Sequence, residues 1–173
     1  MIKKILIYLI SIFFYQSLLL AENKIYFIDV NYIFNNSLVG KKYNQEIKKK
    51  QDIFKKNFNE KQNLIKKDQD LLFSQKNILA EEEFKKKAES LNKQIEEVKI
   101  NIDKDRNLLE KFSNDVKVTF YNELLKIMYK YSEENSIEMI INKENILLGK
   151  NELDLSDNIL AIIDKDLTKL KLE

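Results

Sequence analysis

Residues 24–42 read KIYFIDVNYIFNNSLVGKK, and this stretch decides the fold. Its first part, Ile25 to Val30, is apolar at both alternating sets of positions except at Asp29, as expected of a β-strand that is covered on both faces. A short helical segment follows, and Gly40 separates it from a long lysine-rich helix. We expect Gly40 to act as a hinge with positive φ between these two helices.

Two apolar stripes predict a long helical arm after this stretch. One stripe runs over residues 84–131 at helical spacing, and a second runs over residues 43–72 with several spacings of eleven residues. Poor helix formers between Gln75 and Ala80 indicate a reversal of the chain. We therefore predict a coiled-coil hairpin arm over residues 41–131, with two antiparallel helices about 50 Å long. A single continuous helix of about ninety residues is the alternative.

The C-terminal part is predicted to complete a small body that carries the arm. Residues 136–149, SIEMIINKENILLG, predict a β-hairpin, and Ser156 is a predicted N-cap of a closing helix. The expected fold class is α+β, mostly α, with a three-stranded body built from residues 22–40 and 132–173. Because so small a core leaves the first strand half exposed, we expect the body to self-associate. The residues predicted to form this oligomerisation body are Ile25, Phe27, Ile28, Val30, Ile137, Met139, Ile141, Ile146 and Leu148.

The first 21 residues have the layout of a secretory signal peptide. Lys3 and Lys4 precede an apolar run, and cleavage after Ala21 would make Glu22 the first residue of the mature chain. We therefore expect an exported protein, and an uncleaved membrane anchor is the alternative. The chain contains no cysteine, which excludes a lipoprotein acylated at cysteine and a domain stapled by disulfides.

Charge along the chain is uneven although the mature protein is neutral. Without the leader it has 28 basic and 28 acidic residues, which disfavours a general nucleic-acid binder. Residues 41–67 contain ten lysines and three acidic residues, whereas residues 131–173 contain five lysines and ten acidic residues. Such a chain can present a solvated helix face, or it can meet anionic lipid or charged partners with one end.

Enzymatic catalysis is not expected from this sequence. No histidine or cysteine is present to act as a base or nucleophile near neutral pH, and there is no glycine-rich phosphate loop. Asp103, Asp105 and the acidic run at residues 81–83 are expected to be solvated charges on a helix rather than metal ligands. We therefore predict neither a cofactor nor a metal site.

The whole predicted arrangement is similar to the Skp/OmpH family of periplasmic chaperones. The residues that carry the resemblance are Ile25 to Val30 with Asp29, the following NYIFNNS, Gly40 with Lys41, and the late blocks IEMIINKENILL (137–148) and LDLSDNILAIID (153–164). The resemblance implies a periplasmic homotrimer whose strands form a shared β-barrel, with three arms around a central cavity. It also implies that unfolded outer-membrane proteins are held there without ATP.

The sequence departs from the family pattern in two ways, at one residue and in the distribution of charge along the arm. Ser156 stands where the family usually has threonine, and the basic stretch lies on the descending helix while the tip is acidic at Glu81 to Glu83. Membrane lipid or lipopolysaccharide is therefore a further candidate partner rather than an expected one.

Apolar residues off the stripes are the candidates for contact with unfolded proteins. Near the tip these are Phe73, Ile78 and Leu79, and on the ascending helix they are Ile100 and Val118. We expect them to offer weak, dispersed contacts to many different chains.

Two other functional classes remain open from the sequence. A membrane-tethered structural coiled-coil protein of the cell envelope would keep its leader, so the first residue of the mature chain separates it from a soluble chaperone. A basic arm that binds nucleic acid or lipopolysaccharide would instead show steeply salt-dependent binding.

Overall fold

The computed structural model describes residues 25–172, and within them two long helices stand on a small mixed base. In chain order the elements are β1 (Ile25–Ile28), α1 (Val30–Asn36), α2 (Leu38–Ser74), α3 (Glu81–Asn135), β2 (Met139–Asn142), short 3-10 turns at Lys143–Asn145 and Asn151–Leu153, and α4 (Ser156–Asp166). The predicted leader, residues 1–21, lies outside the described residues.

The two strands of the base pair in parallel, with Ile25 opposite Met139 and Ile28 opposite Asn142. Parallel strands need a long crossover connection. The arm supplies it, because α2 carries the chain away from the base and α3 returns it to the same end of the sheet.

The prediction of a three-stranded body is wrong for the third strand, because the sheet described here contains only β1 and β2. The Asn142 side chain accepts a hydrogen bond from the Glu144 backbone N–H, and the 3-10 turn that follows takes the chain out of the sheet. Ile146–Leu148 therefore forms no strand, and the predicted antiparallel hairpin is replaced by β1 and β2 side by side. On its other side β1 makes a single bridge, in which the Leu155 N–H donates to the Phe27 carbonyl at 2.9 Å.

The first strand is also shorter than predicted because Asp29 starts a helix. Its carboxylate accepts a hydrogen bond from the Tyr32 backbone N–H at 2.8 Å, which is the usual N-cap interaction. Val30 is consequently the first residue of α1 and not the last residue of β1.

The hydrophobic core lies entirely in the base. Phe34 of α1 packs edge to face against Phe120 of α3, with ring centroids 4.8 Å apart. Both long helices contribute only their ends to this core, so no side chain between residues 48 and 115 is buried. The fully covered apolar side chains around this pair are Ile28, Ile33, Val116, Leu124, Ile159, Ile163 and Leu170.

The two long helices form an antiparallel arm. Lys87 donates to the Gln75 side chain near the tip at 3.1 Å, and Lys61 lies 3.7 Å from Asp105 further down. Lys50 sits over the Phe112 ring close to the base, 4.8 Å from its centroid. With 37 residues, α2 is about 55 Å long.

The stripes of the arm face each other and are only half covered. Residues such as Phe58 and Ile65 of α2, and Ile95 and Ile102 of α3, are half-buried, whereas the residues between them are mostly exposed. Residues 75–80 connect the helices, and the acidic first turn of α3 complements the positive end of its helix dipole.

Gly40 does not have the predicted positive φ, because it lies inside the first turn of α2. A Cβ atom there would be only 1.7 Å from the Phe34 carbonyl oxygen. Ser37 makes the turn between the helices, since its hydroxyl donates to that same carbonyl and accepts from the Gly40 N–H, each at 3.1 Å. Glycine is therefore required by the close approach of α1 to α2.

Candidate functional site

An open strand edge and an apolar groove lie close together on the base. β2 pairs with β1 on one side only, so its other edge has no strand partner among residues 25–172. A groove of about 700 Å³ lies between α3 and residues 137–140 at the start of β2, and its lining includes Leu125, Tyr129 and Met139. Tyr129 is 71 % exposed and Met139 is 52 % exposed. Unpaired backbone beside uncovered apolar side chains is a typical template for strand addition or association.

The loop after β2 adds two further exposed leucines. Leu147 and Leu148 have almost no contact with the rest of the chain, at 106 % and 94 % exposure. Large apolar side chains that are this exposed are unusual in a protein that works as a single subunit. Together with the groove, they give the base an apolar surface that its own fold leaves uncovered.

The structure divides the residues predicted for the oligomerisation body into three groups. Phe27 and Ile28 are buried in the core of the single chain. The half-buried members are Val30, Ile137, Ile141 and Ile146, and the exposed members are Ile25, Met139 and Leu148. Only the second and third groups have apolar surface left for another chain.

A polar cluster joins the start of α1 to the start of α4. Ser156 was predicted as the N-cap of the closing helix, but it is the first residue of α4 and its hydroxyl accepts from the Asp29 backbone N–H at 2.8 Å. That hydroxyl donates to Asp154, and the Ser156 backbone N–H donates to the same carboxylate at 2.9 Å. Asp154 therefore takes the capping role, since Ser156 is engaged with the end of β1.

Lys143 completes this cluster from the turn after β2. Its ammonium lies 2.8 Å from the Asp154 carboxylate and over the Phe27 ring, 5.7 Å from the centroid. Partial burial alone would raise the pKa of Asp154, but the hydrogen bonds from Lys143 and Ser156 outweigh it, so that this pKa lies below its ordinary value. The hydrogen bond to Asp154 raises the pKa of Lys143. The cluster holds the exposed loop against the base.

The predicted contact residues of the arm do not form one site. Phe73 and Ile78 are exposed at the tip, at 77 % and 79 %, but the nearby Leu79 is half-buried. Ile100 and Val118 are exposed on the far side of α3, away from the stripe.

A second set of exposed apolar residues on the arm was not predicted as functional. Ile53, Leu64 and Leu71 of α2 are each about 60 % exposed, and Leu108 of α3 is 58 % exposed. Ile53 and Leu108 line the same groove between the helices. In the sequence these residues look like flanks of the stripe, and their spacing of eleven and seven residues is the signal that could have distinguished them.

The base of the arm is held by contacts that no sequence pattern indicated. The Leu38 N–H, at the start of α2, donates to the Asp164 carboxylate of α4 at 2.7 Å. The Tyr43 hydroxyl donates to the Leu170 carbonyl at 3.2 Å, and the Leu170 side chain is buried. α4 and the segment after it therefore fix the direction in which the arm leaves the base.

Membrane-spanning helices and metal-binding clusters are absent from the described residues. No helix within residues 25–172 is both long enough and apolar enough to span a membrane. Nor does this part of the chain bring three acidic, histidine or cysteine side chains together as a metal-binding group.

Comparison with known proteins identifies the family. The chain matches the family described as "Outer membrane protein (OmpH-like)" over residues 24–163. Its fold is similar to the crystal structure of a candidate outer membrane chaperone (OmpH-like) from Caulobacter crescentus CB15, with a TM-score of 0.76 and 15 % sequence identity over 89 % of this chain and 91 % of the other. No curated protein is significantly similar in sequence. The resemblance read from the sequence is thus confirmed, and the chain belongs to the OmpH-like family.

Proposed function

We propose that this chain is an exported, ATP-independent holdase chaperone that encloses unfolded outer-membrane proteins and prevents their aggregation. The observation that carries the proposal is the arm itself. From residue 48 to residue 115 the chain buries no side chain, so this length of helix contributes surface rather than core. A projecting surface with half-covered apolar stripes suits weak binding of many different chains. Such an activity requires no catalytic step and no cofactor.

Self-association of the base is the second part of the proposal. The open edge of β2, the groove beside it and the exposed Leu147 and Leu148 are the surface on which a second copy would pack. Pairing at this edge would satisfy the unpaired backbone groups and cover the apolar side chains in one step. We propose a homotrimer with a shared β-barrel, as the family resemblance implies, so that three arms surround one cavity.

The arms are proposed to contact the unfolded chain through exposed apolar side chains. Phe73, Ile78 and Leu79 would act near the tip, and Ile100 and Val118 would act along α3. Each contact is small, and holding an unfolded chain depends on many of them acting together at high local concentration.

The proposed location is the periplasm. The leader would direct export and would be removed by cleavage after Ala21. In this scheme residues 22–40 and 132–173 form the oligomerisation body, and residues 41–131 form the arm. The lysine-rich stretch of α2, residues 41–67, is a candidate surface for membrane lipid or lipopolysaccharide.

Two measurements on the mature chain test the proposal. Sedimentation equilibrium at micromolar concentration should give three times the subunit mass. Light scattering should show that the protein suppresses aggregation of a urea-unfolded outer-membrane β-barrel protein after dilution, without added nucleotide. A protein that stays monomeric, or that leaves the scattering unchanged, contradicts the proposal.

A matched pair of variants tests the assembly surface. Met139→Asp places a charge at the open edge of β2, and we expect it to dissociate the oligomer because a buried unpaired carboxylate is strongly unfavourable. Ile100→Asp places the same charge at a similarly exposed position of the arm, where 59 % of the residue is accessible, and should leave the mass unchanged. Equal masses for both variants would assign assembly to another surface.

A further inference from the structure

The methionines outside the predicted leader line a single groove of the base. The sequence contains three methionines, and one of them is the first residue of the leader. The other two, Met128 of α3 and Met139 of β2, both line the groove of about 700 Å³ between α3 and the start of β2. Because the sequence contains no cysteine, all the sulfur outside the leader lies in this one groove.

The two thioethers differ in their access to solvent. Met139 is 52 % exposed, and Ile25, which lies opposite it on β1, is 47 % exposed, so this corner of the sheet is open to water. Met128 is half-buried and packs against the hydrophobic core. An oxidant dissolved in water therefore reaches the sulfur of Met139 more readily than that of Met128.

A thioether is oxidised by peroxide in one two-electron step. The sulfur lone pair attacks one oxygen of hydrogen peroxide, and the S–O bond forms as the O–O bond breaks. The proton of the transferred oxygen moves to the departing hydroxide, which leaves as water, so that methionine becomes the sulfoxide and the peroxide is reduced. Methionine sulfoxide reductases return the sulfoxide to the thioether, with two electrons from a dithiol and loss of the oxygen as water.

A sulfoxide at position 139 should disturb association more than folding. In the single chain about half of Met139 is in contact with water, so the new oxygen stays hydrated. A second copy that packs on the groove would remove this water, and the groove lining beside Met139 includes the apolar residues Leu125, Ile137 and Ile140. Burying a polar group without a hydrogen-bond partner is unfavourable, and sulfoxides disrupt interfaces that contain methionine.

We propose that Met139 is a site of reversible oxidation by peroxide, and that the sulfoxide keeps a free subunit from assembling. This inference rests on the proposed self-association through the groove and adds a redox control to it. Assembly covers Met139 in turn, so that oxidation acts on free subunits and assembled subunits are protected. The proposed location is an oxidising compartment, in which an exported subunit is exposed before it assembles.

Two variants separate Met139 from the rest of the chain. Met139→Leu retains an apolar side chain of similar volume that peroxide does not oxidise, and Met128→Leu does the same at the half-buried position. The natural chain and both variants are treated with hydrogen peroxide at a protein concentration too low for assembly, and catalase then removes the excess. Peptide mass spectrometry gives the sulfoxide fraction at each position, and sedimentation equilibrium gives the association of each protein before and after treatment.

We expect Met139 to be oxidised faster than Met128. The oxidised natural chain should need about tenfold higher concentration for half assembly, because each interface then buries a polar oxygen. Met128→Leu should show the same loss on treatment, whereas Met139→Leu should associate equally before and after it. Methionine sulfoxide reductases with dithiothreitol should restore the natural chain, and its Met139 should be oxidised more slowly at concentrations that allow assembly.

Several results would overturn the proposal. Unchanged association of the natural chain after complete oxidation of Met139 would show that the interface tolerates the sulfoxide, and an equal loss in treated Met139→Leu would assign the effect to another residue. Faster oxidation of Met128 would contradict the argument from exposure. A loss of the far-UV circular dichroism signal on treatment would mean that oxidation unfolds the chain. If the untreated natural chain is monomeric at every concentration, the assembly proposal itself fails and the redox control fails with it.

Discussion

Replacing Gly40 with alanine distinguishes two explanations of this glycine by the sign of the stability change. Alanine is favoured over glycine inside a helix by about 1 kcal/mol, so a glycine kept only for flexibility yields a more stable protein when replaced. The structure predicts destabilisation, because the new Cβ atom would lie 1.7 Å from the Phe34 carbonyl oxygen and 2.7 Å from its carbon.

The magnitude follows from the movement that this Cβ atom forces. The Phe34 carbonyl must retreat by about 1.3 Å to reach 3.0 Å, the closest approach that real Cβ atoms show. Phe34 is held by its contact with Phe120, so this movement disturbs the core. Overpacking costs about 1–3 kcal/mol, and a clash with backbone belongs at the upper end of that range. After the gain in helix propensity, the net loss is about 2 kcal/mol, or about 4–8 °C in Tm for a chain of this size.

Thermal unfolding of Gly40→Ala and the natural chain, followed by far-UV circular dichroism, measures this loss. Both proteins must be compared at one concentration, because the proposed association would make Tm concentration-dependent. Leu38→Ala is the control, since Leu38 is in the same helical turn but 65 % exposed, and its change should stay within about 0.5 kcal/mol. A Tm of Gly40→Ala at or above that of the natural chain would show that the close approach is not limiting.

Two further changes test the contacts that hold the base together. Asp164→Ala removes the acceptor of the Leu38 N–H, so it should lower the free energy of unfolding by about 1 kcal/mol. Asp164→Asn keeps an acceptor oxygen and should lower it less. Equal losses for the two variants in urea unfolding would mean that the hydrogen bond contributes little. The pKa of Asp154 is lowered in the folded chain, so the stability from its contact with Lys143 is present above about pH 4 and is lost as the pH falls through the lowered pKa. The natural chain should therefore lose stability more steeply on acidification than Asp154→Asn does, and parallel pH profiles would contradict this role.

The long-range layout of this chain could be read from the sequence because it depends on periodicity. The stripes of residues 43–72 and 84–131 repeat a helical spacing many times, so local errors average out. The residues between Gln75 and Ala80 interrupt that repeat, and the chain reverses there.

The details of the base were less predictable because they depend on contacts between distant residues. Ile146–Leu148 does not pair as a strand, because the Asn142 side chain stabilises a 3-10 turn that takes the chain out of the sheet before residue 146. The need for glycine at position 40 arises from α1 packing on α2, which no local pattern encodes. Likewise, the bond from Leu38 to Asp164 joins residues 126 positions apart.

Within residues 25–172 every buried side chain lies in the base, which implies a gradient of motion along the arm. Backbone amides near Ile47 and Val116 can exchange with solvent only when the core opens, whereas those around Gln75 need only the last turns of two helices to unwind. Hydrogen exchange should therefore become faster with distance from the base. If the arm holds unfolded proteins as proposed, a tip that unwinds without disturbing the core would let it adjust to proteins of different size at little energetic cost.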